Sequence, residues 1–423
     1  MPDPLFEPIT LPGGATLPNR IAKAAMEEGM AGKDQLPDVA LFGLYRTWSE
    51  GGSGLLITGN VMFHAEAMTG PSGVVLDAHS PIAPFRKWAE SAKSGGSKAW
   101  MQINHPGRQV SKNMPGVAWA PSAIKVDAGK ASAMMADPVE LTAAQIAETV
   151  ERFATTAGRA EEAGSDGVEI HAAHGYLISQ FLSPLSNRRS DQWGGSLENR
   201  SRLLLDVVRA VKDRVSTDFA VAVKLNSADF QRGGFDEDDA RAVINMLAEL
   251  NVDLVELSGC SYESPAMTGN ALESAAQEGD SRTAAREAYF LELARELADS
   301  SPVPLMLTGG IVRRSVAEEV LSSGVDVVGM GTALAVEPDL PNRWRSATEA
   351  GRSASVEVGS VRIKDKAIAS AAAMSRVRYQ LKRLGNGKPT RPRISAELTL
   401  VMEQSASKVA TKRYSAWLKS RAS

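Results

Sequence analysis

Cysteine is nearly absent from the sequence: Cys260 is the only one in 423 residues. A single thiol forms no intramolecular disulfide and cannot furnish a four-thiolate zinc or iron–sulfur site, so redox chemistry here requires a cofactor of another kind. Long apolar runs are missing too. No stretch reaches the roughly 18 residues of a membrane span, and the N-terminal MPDPLFEPITLPGG has neither the basic start nor the apolar core of a secretion signal. A cytoplasmic protein without a membrane partner is the expectation. An excess of one charge is also lacking, since 47 basic residues face 50 acidic ones. The chain as a whole therefore has no bias toward nucleic acid or anionic lipid.

That balance conceals a segregation. From Ser355 onward there are 15 Lys or Arg against 4 Asp or Glu, a net of +11, while residues 1–354 carry 32 against 46, a net of -14. We therefore read 1–354 as one domain and 355–423 as a basic extension. Opposite charge would hold the extension to its own acidic domain or to a neighbouring copy in a homo-oligomer. In the second case, removing it would damage assembly more than chemistry.

Eight short, almost continuously apolar runs punctuate the first part: NRIAKAAM at 19, GLLITGN at 54, KAWMQIN at 98, GVEIHAAH at 167, FAVAVKLN at 219, VDLVELSG at 252, VPLMLTGG at 303 and VDVVGMG at 325. Strands buried on both faces of a parallel sheet look like this, whereas half-exposed strands alternate. Between the runs lie amphipathic helical stretches. Residues 142–164 open on a Thr cap and close on Gly, and residues 236–251 have the same helical spacing. Eight strand–helix alternations predict an α/β fold, a (β/α)8 TIM barrel, with a doubly wound two-domain sheet as the alternative. The tail predicts a helix ended by GNGKPTRP and a short terminal helix around VATKRYSAWLKSR.

In such barrels the loops after strands seven and eight often bind phosphate, because glycines allow backbone N–H groups to approach the anion. Gly309, Gly310, Gly329 and Gly331 are the candidates, against the plainer reading that they are helix stops and tight turns. The fourth run ends in HAAHGY, which puts His171, His174 and Tyr176 at the carboxyl rim, where barrels place their chemistry. Three readings compete for them. The histidines could be loop residues satisfied by hydrogen bonds, with Tyr176 as packing. They could be metal ligands, although HExxH is absent and a carboxylate such as Glu27 or Glu256 would have to complete the set. Or they could be neutral donors gripping a substrate oxygen while Tyr176, a phenol protonated at neutral pH, delivers a proton to a carbanion. That last division of labour suits hydride addition to an activated alkene.

The block HAAHGYLISQFLSPLSNRRSDQWGGSLENR, together with LPNRIAKAAM, MQINHPGRQ, VAVKLNSADF, SGCSYESPAM and GMGTALAVEPDLPNRW, resembles the old yellow enzyme family of FMN-dependent NAD(P)H oxidoreductases over residues 4–345. The resemblance implies FMN as cofactor, NADH or NADPH as reductant, and a small-molecule substrate with an activated alkene, nitro or quinone group. It assigns oxygen binding to His171 and His174 and proton donation to Tyr176. It also implies flavin contacts from Gln102 and Lys224, from Ala24, Ala25 and Met26 after the first strand, and from Gly59 after the second. A cation at Lys224 would stabilise negative charge on reduced flavin.

Two positions depart from the family pattern. Glu27 stands where relatives often have Cys or Thr, and it either lies near the flavin ring or turns away to solvent or a cation. Thr332 stands where Arg commonly touches the FMN phosphate, leaving that contact to backbone N–H groups and to Arg313 or Arg314. Three further functions stay open at this level. One is a desaturase running the same chemistry backward. Another is a cofactor-free or metal-dependent barrel hydrolase or lyase. The third is an RNA-modifying flavoprotein resembling the dihydrouridine synthases; those use a cysteine acid, whereas Cys260 stands in a different strand-end loop from Tyr176, and the basic tail lacks interleaved aromatics for base stacking.

Overall fold

The computed structural model describes residues 3–258, 295–346, 348–356, 361, 363 and 365–422. Each of the eight apolar runs forms a strand: β1 (Ile21–Lys23), β2 (Leu55–Ile57), β3 (Lys98–Asn104), β4 (Gly167–Ala172), β5 (Ala220–Asn226), β6 (Leu254–Ser258), β7 (Leu305–Thr308) and β8 (Val327–Met330). Every neighbouring pair is parallel, and β8 closes on β1, with Gly329 opposite Ala22. Closure of eight parallel strands makes the (β/α)8 barrel and removes the two-domain alternative.

Helices α1 (Val39–Glu50), α2 (Ala83–Lys93), α3 (Ala143–Glu162), α4 (Leu197–Arg214), α5 (Glu237–Ala248) and α6 (Arg314–Ser322) follow strands one to five and seven. The start of α3 shows why the sequence could be read there. The Thr142 side chain accepts from the Gln145 N–H while Gln145 reaches back to the Thr142 N–H, a capping box that satisfies two otherwise orphaned donors. Asp236 caps α5 in the same sense through the Asp239 N–H.

Inside the barrel, residues two apart on each strand share the inner face. Toward the amino ends of the strands these are Ala22, Leu55, Ile57, Trp100, Ala220, Ala222, Leu254, Met306 and Val327, packed with Leu11 and Leu17 of an N-terminal hairpin. The hairpin plugs that end, and the Gly13 N–H donates to Asp253 Oδ1 (2.7 Å) just before β6. One step further up the same faces, the residues become Gln102, Glu169, Lys224 and Glu256, all buried.

The extension forms α7 (Lys366–Gly385) and α8 (Ala396–Ala422). The terminal helix is thus far longer than the short one expected, because its first half presents Leu398, Val401 and Met402 outward and gives no amphipathic signal. Helix α7 lies against α1 backbone to backbone, for a Cβ on Gly43 would stand 2.7 Å from the Gly385 carbonyl oxygen. Helix α8 packs on the segments after β1 and β2: Tyr414 Oη donates to the Ala65 carbonyl (2.6 Å), and Arg421 pairs with Asp77 (2.7 Å). The basic extension therefore binds its own acidic domain, at the carboxyl rim. Among the described residues no helix is long and apolar enough to cross a membrane.

Candidate active site

The rim of β4 carries the histidine pair. His171 is buried on the strand itself, and its Nδ1 accepts the Ala173 N–H at 3.2 Å. With Nδ1 an acceptor, the proton of the neutral ring sits on Nε2. The chain then turns through a left-handed residue, His174 at φ +61°, followed by Gly175 at +69°. That strained turn is held from three sides. The His174 N–H donates to Asn226 Oδ1 (2.9 Å), its carbonyl accepts from Gln109 Nε2 (2.7 Å), and its Nε2 lies 2.7 Å from Ser258 Oγ.

The turn swings Tyr176 back over the pair. Ring centroids are 5.0 Å apart for His171 and His174, 4.9 Å for His171 and Tyr176, and 6.5 Å for His174 and Tyr176, all edge to face. Burial, with Lys224 nearby, pushes both imidazoles well below their ordinary pKa, the His174 ring adding to the effect on His171. The pair is neutral at physiological pH.

Below the histidines lies an inward-facing polar layer. Gln102 Nε2 donates to Glu169 Oε2 (2.6 Å), and Lys224 Nζ pairs with Glu256 Oε1 (2.6 Å). Glu256, weighed from sequence as a metal ligand, is thus engaged by a lysine. Among the described residues no group of three or more His, Cys, Asp or Glu is arranged to hold a metal ion.

The loops after β1, β7 and β8 form one side of the rim. Ala24 is buried, and its N–H donates to the Met330 carbonyl (3.0 Å), while Ala25 and Met26 are half-buried, with Met26 beside Gly331. Gly309 and Gly310 have φ of +151° and +68°, and both are half-buried, as are Gly331 and Thr332. Gly329 departs from the phosphate expectation. It lies within β8, where a Cβ would collide with Thr308 Oγ1, so packing accounts for the glycine. Arg314 departs as well, its guanidinium being held by Asp3 (2.5 Å) and Glu318 (2.7 Å). Arg313 stands at the N-cap of α6, with its backbone bridged to Ser355.

Glu27 takes the second of its two expected courses. Its Oε2 pairs with Arg378 Nη2 of α7 (2.8 Å), its Oε1 accepts from Thr69 Oγ1, and its carbonyl accepts from Arg378 Nε (3.3 Å). The neighbour that is buried, between β1 and α1, is Glu28, which sequence reasoning missed. Tyr45 Oη and the Gly59 N–H donate to its Oε1, and Lys23 Nζ lies 3.6 Å away. Gly59 is glycine for a packing reason, since a Cβ there would strike Glu28 and the Met26 carbonyl. Lys23 points outward from β1 between the rings of Tyr45 and Trp48, and burial lowers its pKa to about 8.

A neutral imidazole pair, a phenol above it, and a cation and an amide facing the same rim are a donor set that a flavin and a carbonyl-like substrate would fit. A family model described as the NADH:flavin oxidoreductase / NADH oxidase family matches residues 4–350. The chain belongs to that family, the family of the old yellow enzymes. It is 36% identical over 357 residues to the NADH-dependent flavin oxidoreductase iliE of Hypocrea jecorina (strain QM6a), covering 79% of this chain and 87% of that protein. It is 37% identical over 269 residues to the NADPH dehydrogenase of Bacillus subtilis (strain 168), covering 63% and 71%. The solved old yellow enzyme homologue from Zymomonas mobilis superposes with a TM-score of 0.66 over 84% of this chain and 97% of that one, at 24% identity, a likeness of fold. The protein is an FMN-dependent NAD(P)H oxidoreductase.

The residues present fit FMN. Small or left-handed positions (Ala25, Gly309, Gly310, Gly331) leave room along one side of the rim, and Gln102 and Lys224 supply an amide and a cation. The buried amide atoms of Asn104 and the hydroxyl of Ser227, at the ends of β3 and β5, have no protein partner. Unpartnered polar atoms at such depth are what a polar ligand or ordered water would satisfy.

Proposed function

We propose that this oxidoreductase reduces activated carbon–carbon double bonds, as in enones, and by the same grip accepts nitro compounds or quinones. The observation that carries this reading is the edge-to-face cluster of His171, His174 and Tyr176, with both imidazoles neutral. His171 offers its Nε2–H to a carbonyl or nitro oxygen, and His174 offers a second donor whose tautomer Ser258 sets. Tyr176 Oη holds the proton destined for the α carbon.

Bound FMN would supply the hydride chemistry, accepting hydride from NADH or NADPH and passing it to the β carbon. Gln102 and Lys224 would face its ring, with Ala24, Ala25, Met26 and Gly59 lining the adjoining edge. Gly309, Gly310, Gly331 and Thr332 would receive its phosphate, mainly through backbone N–H groups. A cytoplasmic setting belongs to the same reading.

The test separates the two half-reactions by stopped flow. In Tyr176→Phe, reoxidation of the enzyme by an enone should slow by about 10²-fold or more, while reduction by NADH or NADPH stays unchanged. Equal slowing of both halves would remove Tyr176 from the proton-donor role.

A further inference from the structure

Four inward-facing residues, Gln102, Glu169, Lys224 and Glu256, lie fully inside the barrel on adjacent strands, and two of their bonds are plain: Gln102 to Glu169 Oε2 and Lys224 to Glu256 Oε1. The two remaining carboxylate oxygens, Glu169 Oε1 and Glu256 Oε2, are buried and meet no donor in full hydrogen-bond geometry; the buried Thr308 hydroxyl beside Glu256 is itself otherwise unpartnered, and among the described residues nothing comparable stands beside Glu169 Oε1. The two carboxyl groups interact directly with each other. Two bare carboxylates sharing a buried site repel, and Glu169 Oε1 would be left without any donor. One proton between them cures both faults.

We propose that Glu169 carries that proton on Oε1 and donates it to Glu256 Oε2, so that Glu256 stays ionised against Lys224 and the triad presents bound flavin with a cation whose charge is largely cancelled. Electrostatics agree with the assignment. Burial, and then the charge of Glu256, push Glu169 well above the ordinary carboxyl range. Burial would also raise Glu256, but the Lys224 ammonium and hydrogen bonds hold it below that range. The other titratable groups within electrostatic reach are His171 and His174, both neutral, and Lys23 behind the wall of β1.

The inference rests on the flavin reading above, and Lys224 is the group through which it acts. An uncompensated cation would favour reduced, anionic flavin; Glu256 tempers that, and protonated Glu169 keeps a second negative charge out of the site. Glu169 and Glu256 are thus positioning residues that set a charge.

The experiment measures the midpoint potential of the FMN-loaded protein against a reference dye at neutral pH. In Glu256→Gln the charge of Lys224 is unmasked, and the ratio of reduced to oxidised flavin at fixed ambient potential should rise at least ten-fold, about 30 mV for two electrons. Glu169→Gln copies the neutral, donating acid and should leave the potential where it was. A shift in Glu169→Gln as large as that in Glu256→Gln, or none in either, would overturn the proposal. A second measurement needs no flavin: the infrared carbonyl stretch of a protonated carboxylic acid should be present in the wild-type protein at neutral pH and absent in Glu169→Gln. If wild type shows no such band, the shared proton does not exist. If the band is present but no FMN binds, the flavin reading fails and the shared proton stands.

Discussion

The two ends of one barrel are built from the same eight strands and differ in almost everything else. Toward the amino ends the interior is apolar, with Trp100, Met306, Leu254 and Val327 packed beneath a hairpin plug. Two residues further along the same strands, the inner face holds Gln102, Glu169, Lys224 and Glu256, and above them the histidines and Tyr176. The lower half is almost wholly apolar, its one buried polar side-chain atom among the residues just named being the unpartnered Trp100 indole N–H. The upper half buries charged and polar groups that depend on specific partners; Gln102 and Lys224 meet theirs, Glu169 and Glu256 do so incompletely as bare carboxylates, and the Asn104 amide has none within the protein. Stability is thereby concentrated at one end of the barrel and chemistry at the other. The alternation of side chains along a strand lets one sequence write both.

The contrast is sharpest in the response to truncation. Trp100→Ala, which empties the centre of the lower layer, should cost about 3–5 kcal/mol of stability in urea unfolding. Gln102→Ala, on the same strand, should cost about 1–3 kcal/mol, the penalty of leaving Glu169 Oε2 without its donor. Equal costs would mean that the polar layer supports the fold as much as the apolar one does.

Acid separates the two ends by a smaller margin. His171 and His174 are held neutral in the folded protein, well below the 6.5 of the unfolded chain. Below that value the unfolded state binds more protons, so folded stability falls as pH drops, at up to about 1.4 kcal/mol per pH unit for each histidine. Wild type should therefore lose stability relative to the double variant His171→Asn, His174→Asn between pH 6.5 and 5, and the two should run parallel above pH 7.5. Identical slopes below pH 6.5 would show that the rim imidazoles are free to charge. Trp100→Ala should keep the wild-type slope, since the apolar layer has nothing to titrate.

The apolar layer was the easier half to read. Parallel strands buried on both faces declare themselves by continuous hydrophobicity, and all eight runs are strands. The same continuity hides which residues face inward. Glu169 in GVEIHAAH and Glu256 in VDLVELSG could be noticed, but their partners across strands depend on barrel register, which no local pattern carries. HAAHGY marked the rim because it ends the fourth apolar run; the left-handed His174, and Asn226, Gln109 and Ser258 that hold it, came only with the structure. After β1 the alternation ends. Glu27 stood out only as a departure from the family pattern, and without alternation nothing in the sequence told that it faces α7 while Glu28 faces Lys23.

The smallest effect concerns the extension, which packs on α1 and, through Glu27, Ala65 and Asp77, on the rim loops. Arg378 of α7 is tied to Glu27 (2.8 Å) and to Glu403 of α8 (2.5 Å), with all three side chains about one-fifth exposed. Partial exposure weakens such pairs, so Arg378→Ala should cost about 1 kcal/mol. A double-mutant cycle gives the decisive form of the test. Arg378→Ala and Glu27→Gln should be non-additive, because the first removes the partner that the second discharges. Arg378→Ala and Trp100→Ala should add to within about 0.5 kcal/mol, because among the described residues no side chain of α7 belongs to the lower apolar cluster. Strong coupling between Arg378 and Trp100 would mean that the extension braces the whole barrel, and the division between a stabilising end and a chemical end would then be wrong. Additivity there, with coupling to Glu27, would fix the extension as part of the rim, one residue from the Met26 edge where the flavin is proposed to lie.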